Sequence, residues 1–183
     1  MMNTEPANAA AVVEFWRDAG PQRWFRKDEA FDREFRERFL ALHERAAAGE
    51  LDGWAASAEG ALALAILLDQ FPRNAFRGSP RMYATDAKAR QIARLALERG
   101  LDRQVPQELR NFLCLPFQHS EALPDHEFAV AQAAALGGEA QRYALHHREI
   151  IRRFGRFPHR NALLGRPSTP EEERFIAEGG FAG

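Results

Sequence analysis

The chain has 183 residues, with Lys+Arg 25 against Asp+Glu 26 and a net charge of -1. So even a balance gives no global attraction to nucleic acid or to an anionic membrane, and neither is expected as a partner. A single cysteine, Cys114, excludes an internal disulfide, points to a reducing, cytoplasmic setting and, inside Phe112-Leu113-Cys114-Leu115, reads as a small buried hydrophobe.

The length fits one domain, 1–183, in which about 70% of the unfolded surface can be buried without staples. Alanine occurs 33 times, whereas valine, isoleucine and threonine together occur 12 times, which favours helix and leaves too few β-branched residues for an ordinary sheet. The expected class is all-α, with about eight helices in antiparallel hairpins. No basic segment followed by an apolar stretch opens the chain, so no signal peptide is expected. The longest aliphatic run, Ala61 to Leu68, is too short to span a bilayer.

The first helix is expected from Pro6 to Ala19, capped by Thr4 or Asn3 and stopped by Gly20-Pro21. An aromatic connector, Trp24-Phe25-Arg26-Lys27, leads to Asp28, the cap of a helix from Glu29 to Ala48. Phe31, Phe35, Phe39, Leu42 and Ala46 form its apolar stripe, Gly49 closes it, and its arginines Arg33, Arg36 and Arg38 alternate with acids as a solvated face. Ser57 caps a third helix through Leu68, apolar nearly all round and so central. Thr85 or Asp86 opens the next, to Arg99, closed by Gly100. Helices follow over 106–115, 124–136 and 139–154. Ser168-Thr169-Pro170-Glu171-Glu172 announces the last, with a cap, a first-turn proline and acids.

One phrase occurs twice. Residues 69–78 read D-Q-F-P-R-N-A-F-R-G, and residues 156–165 read R-F-P-H-R-N-A-L-L-G. Local chemistry reads each as a helix stop at Phe-Pro, a turn capped by asparagine (Asn74, Asn161) and a closing glycine (Gly78, Gly165). The charges ask for more. Asp69 in the last turn of an apolar helix wants a cation, with Arg73 the local candidate. Arg152, Arg153, Arg156, His159 and Arg160 crowd the second copy. They belong either to a structural ion-pair network with Asp69, Glu121 and Asp125 or to an anion-binding recess, whose titrating groups would be His147 and His159. Complementary charge leads to the expectation that the two copies meet in space, with His119, Ser120 and Glu121 nearby.

His119-Ser120-Glu121 has no serine-triad signature, and Ser120 reads as the cap of the following turn. Asp125-His126-Glu127 reads as a charged first turn, and His146 and His147 point about 100° apart on a helix. There is no H-E-x-x-H, paired C-x-x-C, P-loop or dinucleotide glycine pattern, so neither metal nor cofactor is expected.

Several stretches together resemble a known family. They are 67–74 (Leu67 through Asp69-Gln70-Phe71-Pro72 to Asn74), Leu115-Pro116 with His119-Ser120-Glu121, His147 with Ile150-Ile151, and 153–161. Glu14-Phe15-Trp16, 24–28 with Phe31-Asp32, Leu164-Gly165-Arg166 and 168–172 complete the likeness. The chain resembles, over nearly its whole length, the uncharacterised bacterial family domain of unknown function 924. A mild departure is Gln118, where the family more often carries methionine, and this bears on local packing. The resemblance implies a tetratricopeptide-like right-handed helical superhelix and no established activity, so it carries over no catalytic residues.

Two functions compete. One is a binding module for a peptide or protein partner, resting on fold analogy. The other is an enzyme or sensor for a small anionic ligand, with Asp69, Arg73, Asn74, Arg77, Arg153, Arg156, His159, Arg160 and Asn161 around the site and His119, Ser120, Glu121 or His147 as acid–base or polar groups. The peptide-binding reading is preferred from sequence, and the two phrases mark the place to look.

Overall fold

The computed structural model describes residues 8–183. No strand occurs among them, and the class is all-α. The internal contacts gather into two compact units, one running through Arg77 with Arg81–Pro116, the other comprising Gly78–Pro80 and Phe117–Gly183.

In the first unit, α1 (Ala9–Ala19) is capped by Asn8, whose Oδ1 accepts from Ala11 N at 3.0 Å. The expected caps Thr4 and Asn3 and the expected start at Pro6 lie outside the described residues. A short α2 (Pro21–Trp24) follows, and Trp24 Nε1 donates to Trp16 O at 2.6 Å. Asp28 caps α3 (Glu29–Ala48) through the Ala30 and Phe31 amides, and its whole predicted stripe is buried. Ser57 caps α4 (Ala58–Ala65), and Ala61 to Leu68 are buried on all sides, as a central helix requires. α4 packs against α1 and α6 (Asp86–Glu98).

The first Phe-Pro does not stop this helix. The chain stays helical through a π segment (Ile66–Gln70) into α5 (Phe71–Ala75). The residue before proline disfavours helix without forbidding it, and here buried partners on all sides hold the conformation. The stretch expected as a helix over 106–115 is a 3₁₀ segment, Gln107–Leu113, followed by α7 (Leu115–Gln118). Cys114 is buried as expected, and burial pushes its thiol up to about 12.

In the second unit, α8 (Leu123–Leu136) and α9 (Gly138–Phe154) pack as a hairpin. The second Phe-Pro does not stop a helix either. Gly155, at φ +70°, ends α9 two residues earlier in a left-handed conformation that glycine adopts without steric cost. A 3₁₀ turn, Pro158–Arg160, leads to α10 (Pro170–Ala177). Thr169 Oγ1 accepts from Glu172 N, while Glu172 Oε2 accepts from Thr169 N, a reciprocal box that fixes the start of α10.

Candidate functional site

Around the first phrase the backbone changes register. Phe71 N reaches back five residues to Ile66 O, and Pro72 brings no N–H to the ladder. The next three carbonyls each receive a side-chain donor. His43 Nδ1 donates to Leu67 O at 2.9 Å, Thr85 Oγ1 to Leu68 O at 2.5 Å, and Arg73 Nη1 to Asp69 O at 2.7 Å. Left buried and unpaired, each carbonyl would cost about 1–3 kcal/mol.

The charges of this phrase are answered inside the first unit. Arg73 grips Asp86 with both terminal nitrogens, at 2.8 and 3.0 Å, and lies 3.3 Å from Asp69 Oδ1. Burial works against its charge, but Asp69 and Asp86 outweigh burial and raise the guanidinium pKa above its ordinary value. Gln70 Nε2 donates to the other Asp69 oxygen at 2.6 Å. Asn74 is no cap: its Nδ2 donates to Asp32 Oδ1 at 2.7 Å, and Arg77 Nε donates to Asp32 Oδ2 at 3.1 Å. Asp32 is thus a shared acceptor, not a solvated residue of α3.

The second phrase forms a network of its own with the Glu121 segment. Arg156 holds Glu172 in a fork at 2.6 and 2.8 Å and also donates to Pro167 O. The Arg156 hydrogen bond is the largest cause that brings Glu172, buried and further bonded by Thr169, down to about 2. Asn161 is again not a cap. Its Nδ2 donates to Ser168 Oγ and Glu172 Oε2, and its Oδ1 accepts from Arg166 Nε. Arg166 holds Glu121 in a fork at 2.6 and 2.9 Å, and Glu121 Oε1 also accepts from Phe157 N at 2.8 Å. Burial pushes the Glu121 pKa up, but Arg166 and the Phe157 amide outweigh it, so Glu121 stays ionised. Arg153 pairs with exposed Glu171. Ser120 turns the chain into α8 by accepting from Ala122 N and donating to Asp125 Oδ2 at 2.7 Å.

Beside this network lies a histidine cluster. Phe157, 1% exposed, has His126, His147 and His159 around its ring at centroid distances of 5.9, 5.8 and 5.6 Å. The guanidinium of buried Arg160 lies 4.5 Å from the same ring. His119 and His146 stand 6.5 and 6.1 Å from His147. Burial, reinforced by the other four histidines, brings His147 down to about 2. This overturns the expectation that His147 titrates near neutral pH. Burial likewise lowers His126. His126 Nε2 donates to Ser120 O at 2.6 Å, so the neutral ring presents a bare lone pair at Nδ1. His147 Nδ1 and Gln118 Oε1 are 3.3 Å apart. His126 Nδ1, His147 Nε2 and Gln118 Nε2 are buried with no hydrogen-bond partner among the described residues.

The structure therefore brings His119, Ser120, Glu121, His147, Arg153, Arg156, His159, Arg160 and Asn161 into one unit, and places Asp69, Arg73, Asn74 and Arg77 in the other. Sequence reasoning missed Asp32, Asp86, Arg166, Glu172, Gln118 and His126 as partners. All but Gln118 and His126 carry a charge that some member of the phrases needed, and that demand was the available signal. No group of three or more His, Cys, Asp or Glu among the described residues is arranged to hold a metal ion. No described helix is long and apolar enough to cross a membrane.

No curated protein matches the chain. A solved protein of unknown function from Agrobacterium tumefaciens is similar to it at 51% identity, covering 93% of this chain and 97% of that one, with a TM-score of 0.92. The model of the family described as bacterial protein of unknown function (DUF924) matches residues 12–180, and the chain belongs to that family.

Proposed function

We propose that the protein binds a small molecule in its second unit, at the cluster formed by Gln118, His119, His126, His147 and His159 around Phe157. The observation that carries this is the set of buried atoms without partners, Gln118 Nε2, His126 Nδ1 and His147 Nε2, within that one cluster. Buried polar atoms are nearly always hydrogen-bonded, and exceptions call for a ligand, an ordered water or a functional role. The phrase arginines are less suited to grip a ligand, because Arg73, Arg77, Arg153 and Arg156 already hold carboxylates. The peptide-binding reading gains no comparable support. The large exposed apolar side chains Phe25, Leu95, Leu123, Tyr143, Leu164 and Ile176 each lie on a different segment of the chain.

The test is a fragment screen read by NMR on the imidazole nitrogens. Fragments should perturb His126 and His147 while leaving His43 of the first unit unchanged. If no fragment moves the second-unit histidines, this reading is wrong.

A further inference from the structure

The Gln118–His147 pair says more about the ligand than that one exists. A single hydrogen bond joins the amide to His147 Nδ1. In one arrangement Nδ1–H donates to Oε1, which leaves the Gln118 NH₂ as a donor and His147 Nε2 as an acceptor. Turning the amide over gives Gln118 N–H donating to Nδ1, which leaves Oε1 as the acceptor and His147 Nε2–H as the donor. Either way the pair offers one donor and one acceptor on neighbouring side chains. His147 is held neutral at physiological pH, so the pair itself carries no charge, while the buried Arg160 guanidinium is taken up against the face of Phe157.

An aromatic ring already lies against the histidine of this pair. Phe181, half-buried, makes an edge-on contact with His147 at 4.7 Å and with His159 at 5.1 Å, and lies 5.8 Å from His146. It gets there by a sharp turn after α10. Gly179 takes φ +82°, and Gly180 N donates to Phe175 O at 2.8 Å. A Cβ on Gly180 would meet Phe175 O at 2.5 Å and the Phe175 ring at 2.6 Å, so a glycine is needed for the chain to cross there. Beyond Phe181 the chain is exposed. The ring thus sets against His147 a surface that cannot hydrogen-bond to it, while also packing with Ile150, Ile151 and Phe157. That face does nothing for the polar edge of His147, and a ring that brings its own donor and acceptor would answer it while keeping the apolar contacts.

We infer that this seat takes a planar, uncharged molecule with a hydrogen-bond donor and an acceptor side by side, such as a carboxamide, a lactam or the edge of a nucleobase, and that Phe181 occupies the seat when the molecule is absent. The ligand's ring would replace the Phe181 ring against His147 and His159, and its polar edge would answer Gln118 and His147. This rests on the ligand-site reading above and narrows it to one chemical class.

The experiment uses the full chain and three probes of similar size: 2-pyridone, benzamide and benzoate. Dissociation constants are measured by titration, with the His147 and Phe181 resonances as site reporters. The lactam and the amide should bind at these residues, and benzoate should bind about 10-fold more weakly or worse, since it brings no donor and a charge to desolvate. Phe181→Ala should bind benzamide about 10-fold more tightly, because the seat is then always open. The ring is only partly buried and packs on the edge of the Ile150, Ile151 and Phe157 cluster, so thermal melting of Phe181→Ala checks that the fold is kept. Gln118→Met, which keeps the volume and removes the amide, should weaken benzamide by about 10-fold. Equal affinity for benzoate and benzamide overturns the ligand class. Equal affinity of wild type and Phe181→Ala overturns the displacement. Silence from all three probes overturns the inference alone, because the ligand-site reading stands or falls on the wider fragment screen.

Discussion

The two copies of the phrase share Phe-Pro and Arg-Asn-Ala but end in different circumstances. In the first unit the proline sits inside a buried helix, and the carbonyls around the register change are taken by His43, Thr85 and Arg73. Arg73, Asn74 and Arg77 are in turn answered by Asp86 and Asp32. In the second unit Arg153, Arg156 and Arg166 are answered by Glu171, Glu172 and Glu121. Yet the phenylalanine of that copy is surrounded by histidines, and Gln118 Nε2, His126 Nδ1 and His147 Nε2 there are buried without a hydrogen-bond partner among the described residues. Trp16 Nε1 and Asn111 Oδ1 are such atoms in the first unit, neither of them in its phrase. The same words thus complete a structure in one place and leave hydrogen-bonding capacity in the other. The neighbours differ, not the phrase.

The strongest way to break this comparison is Arg73→Ala. It strands two buried carboxylates, and chemical denaturation should show a loss of about 3–5 kcal/mol. Arg153→Ala beside the second copy loses an exposed pair and half-exposed ring contacts with Phe154 and Phe175, and should cost about 1 kcal/mol, well below Arg73→Ala. Equal costs would mean that Arg73 does not hold the first unit together.

Thr85→Val keeps the shape and leaves Leu68 O buried without its donor, and Asp32→Ala strands Asn74 Nδ2 and Arg77. Each should cost about 1–3 kcal/mol by the same measurement. A neutral Thr85→Val would show that the π segment does not depend on this hydrogen bond.

Acid should separate the units. His43 in the first unit, and His126 and His147 in the second, are all held below the ordinary value of 6.5, in each case chiefly by burial. The unfolded chain takes up protons that the folded chain refuses, so this stability is complete above pH 6.5 and is lost as the pH falls below it. Hydrogen exchange should show α9 amides losing protection at a higher pH than those of α4. A further loss follows as the pH falls from 4.5 toward 2 and Glu172 gains its proton. Uniform loss of protection across both units would remove the distinction.

The smallest effect is expected where the comparison is sharpest. Gln118→Met combined with His147→Leu removes both partners of a poorly satisfied pair and should change stability by less than about 1.5 kcal/mol. A loss as large as that of Arg73→Ala would show that these atoms are fully satisfied in the native protein.

Much of the fold was legible because its signals are local. Asp28, Ser57 and Thr169 cap helices where their sequence neighbours predict, and the Phe31-Phe35-Phe39-Leu42-Ala46 stripe is buried. The pairing of Asp69 with Arg73, four residues apart, was legible for the same reason. The first Phe-Pro was misread as a stop because proline only disfavours helix in the preceding residue, and a buried setting overrode that preference; the second was misread because Gly155 had already ended α9. His126 gave no signal, because a histidine in a charged first turn looks like ordinary surface chemistry, and Gln118 showed only as a departure from the family's methionine, which pointed to packing and not to a partner.

The sequence by itself determined the all-α class, most helix bounds and caps, and the need of Asp69 and the arginines for partners of opposite charge. Each of these depends on propensity, periodicity or separations of a few residues, which the order of residues records directly. Only the tertiary structure decided which carboxylate each arginine holds, that Pro72 lies within a helix, and that five histidines gather near Phe157 and Phe181. Those outcomes depend on contacts such as Asn74 with Asp32, 42 residues apart, and His147 with Gln118, 29 residues apart. The burial that neutralises His147 exists only once such distant segments have packed.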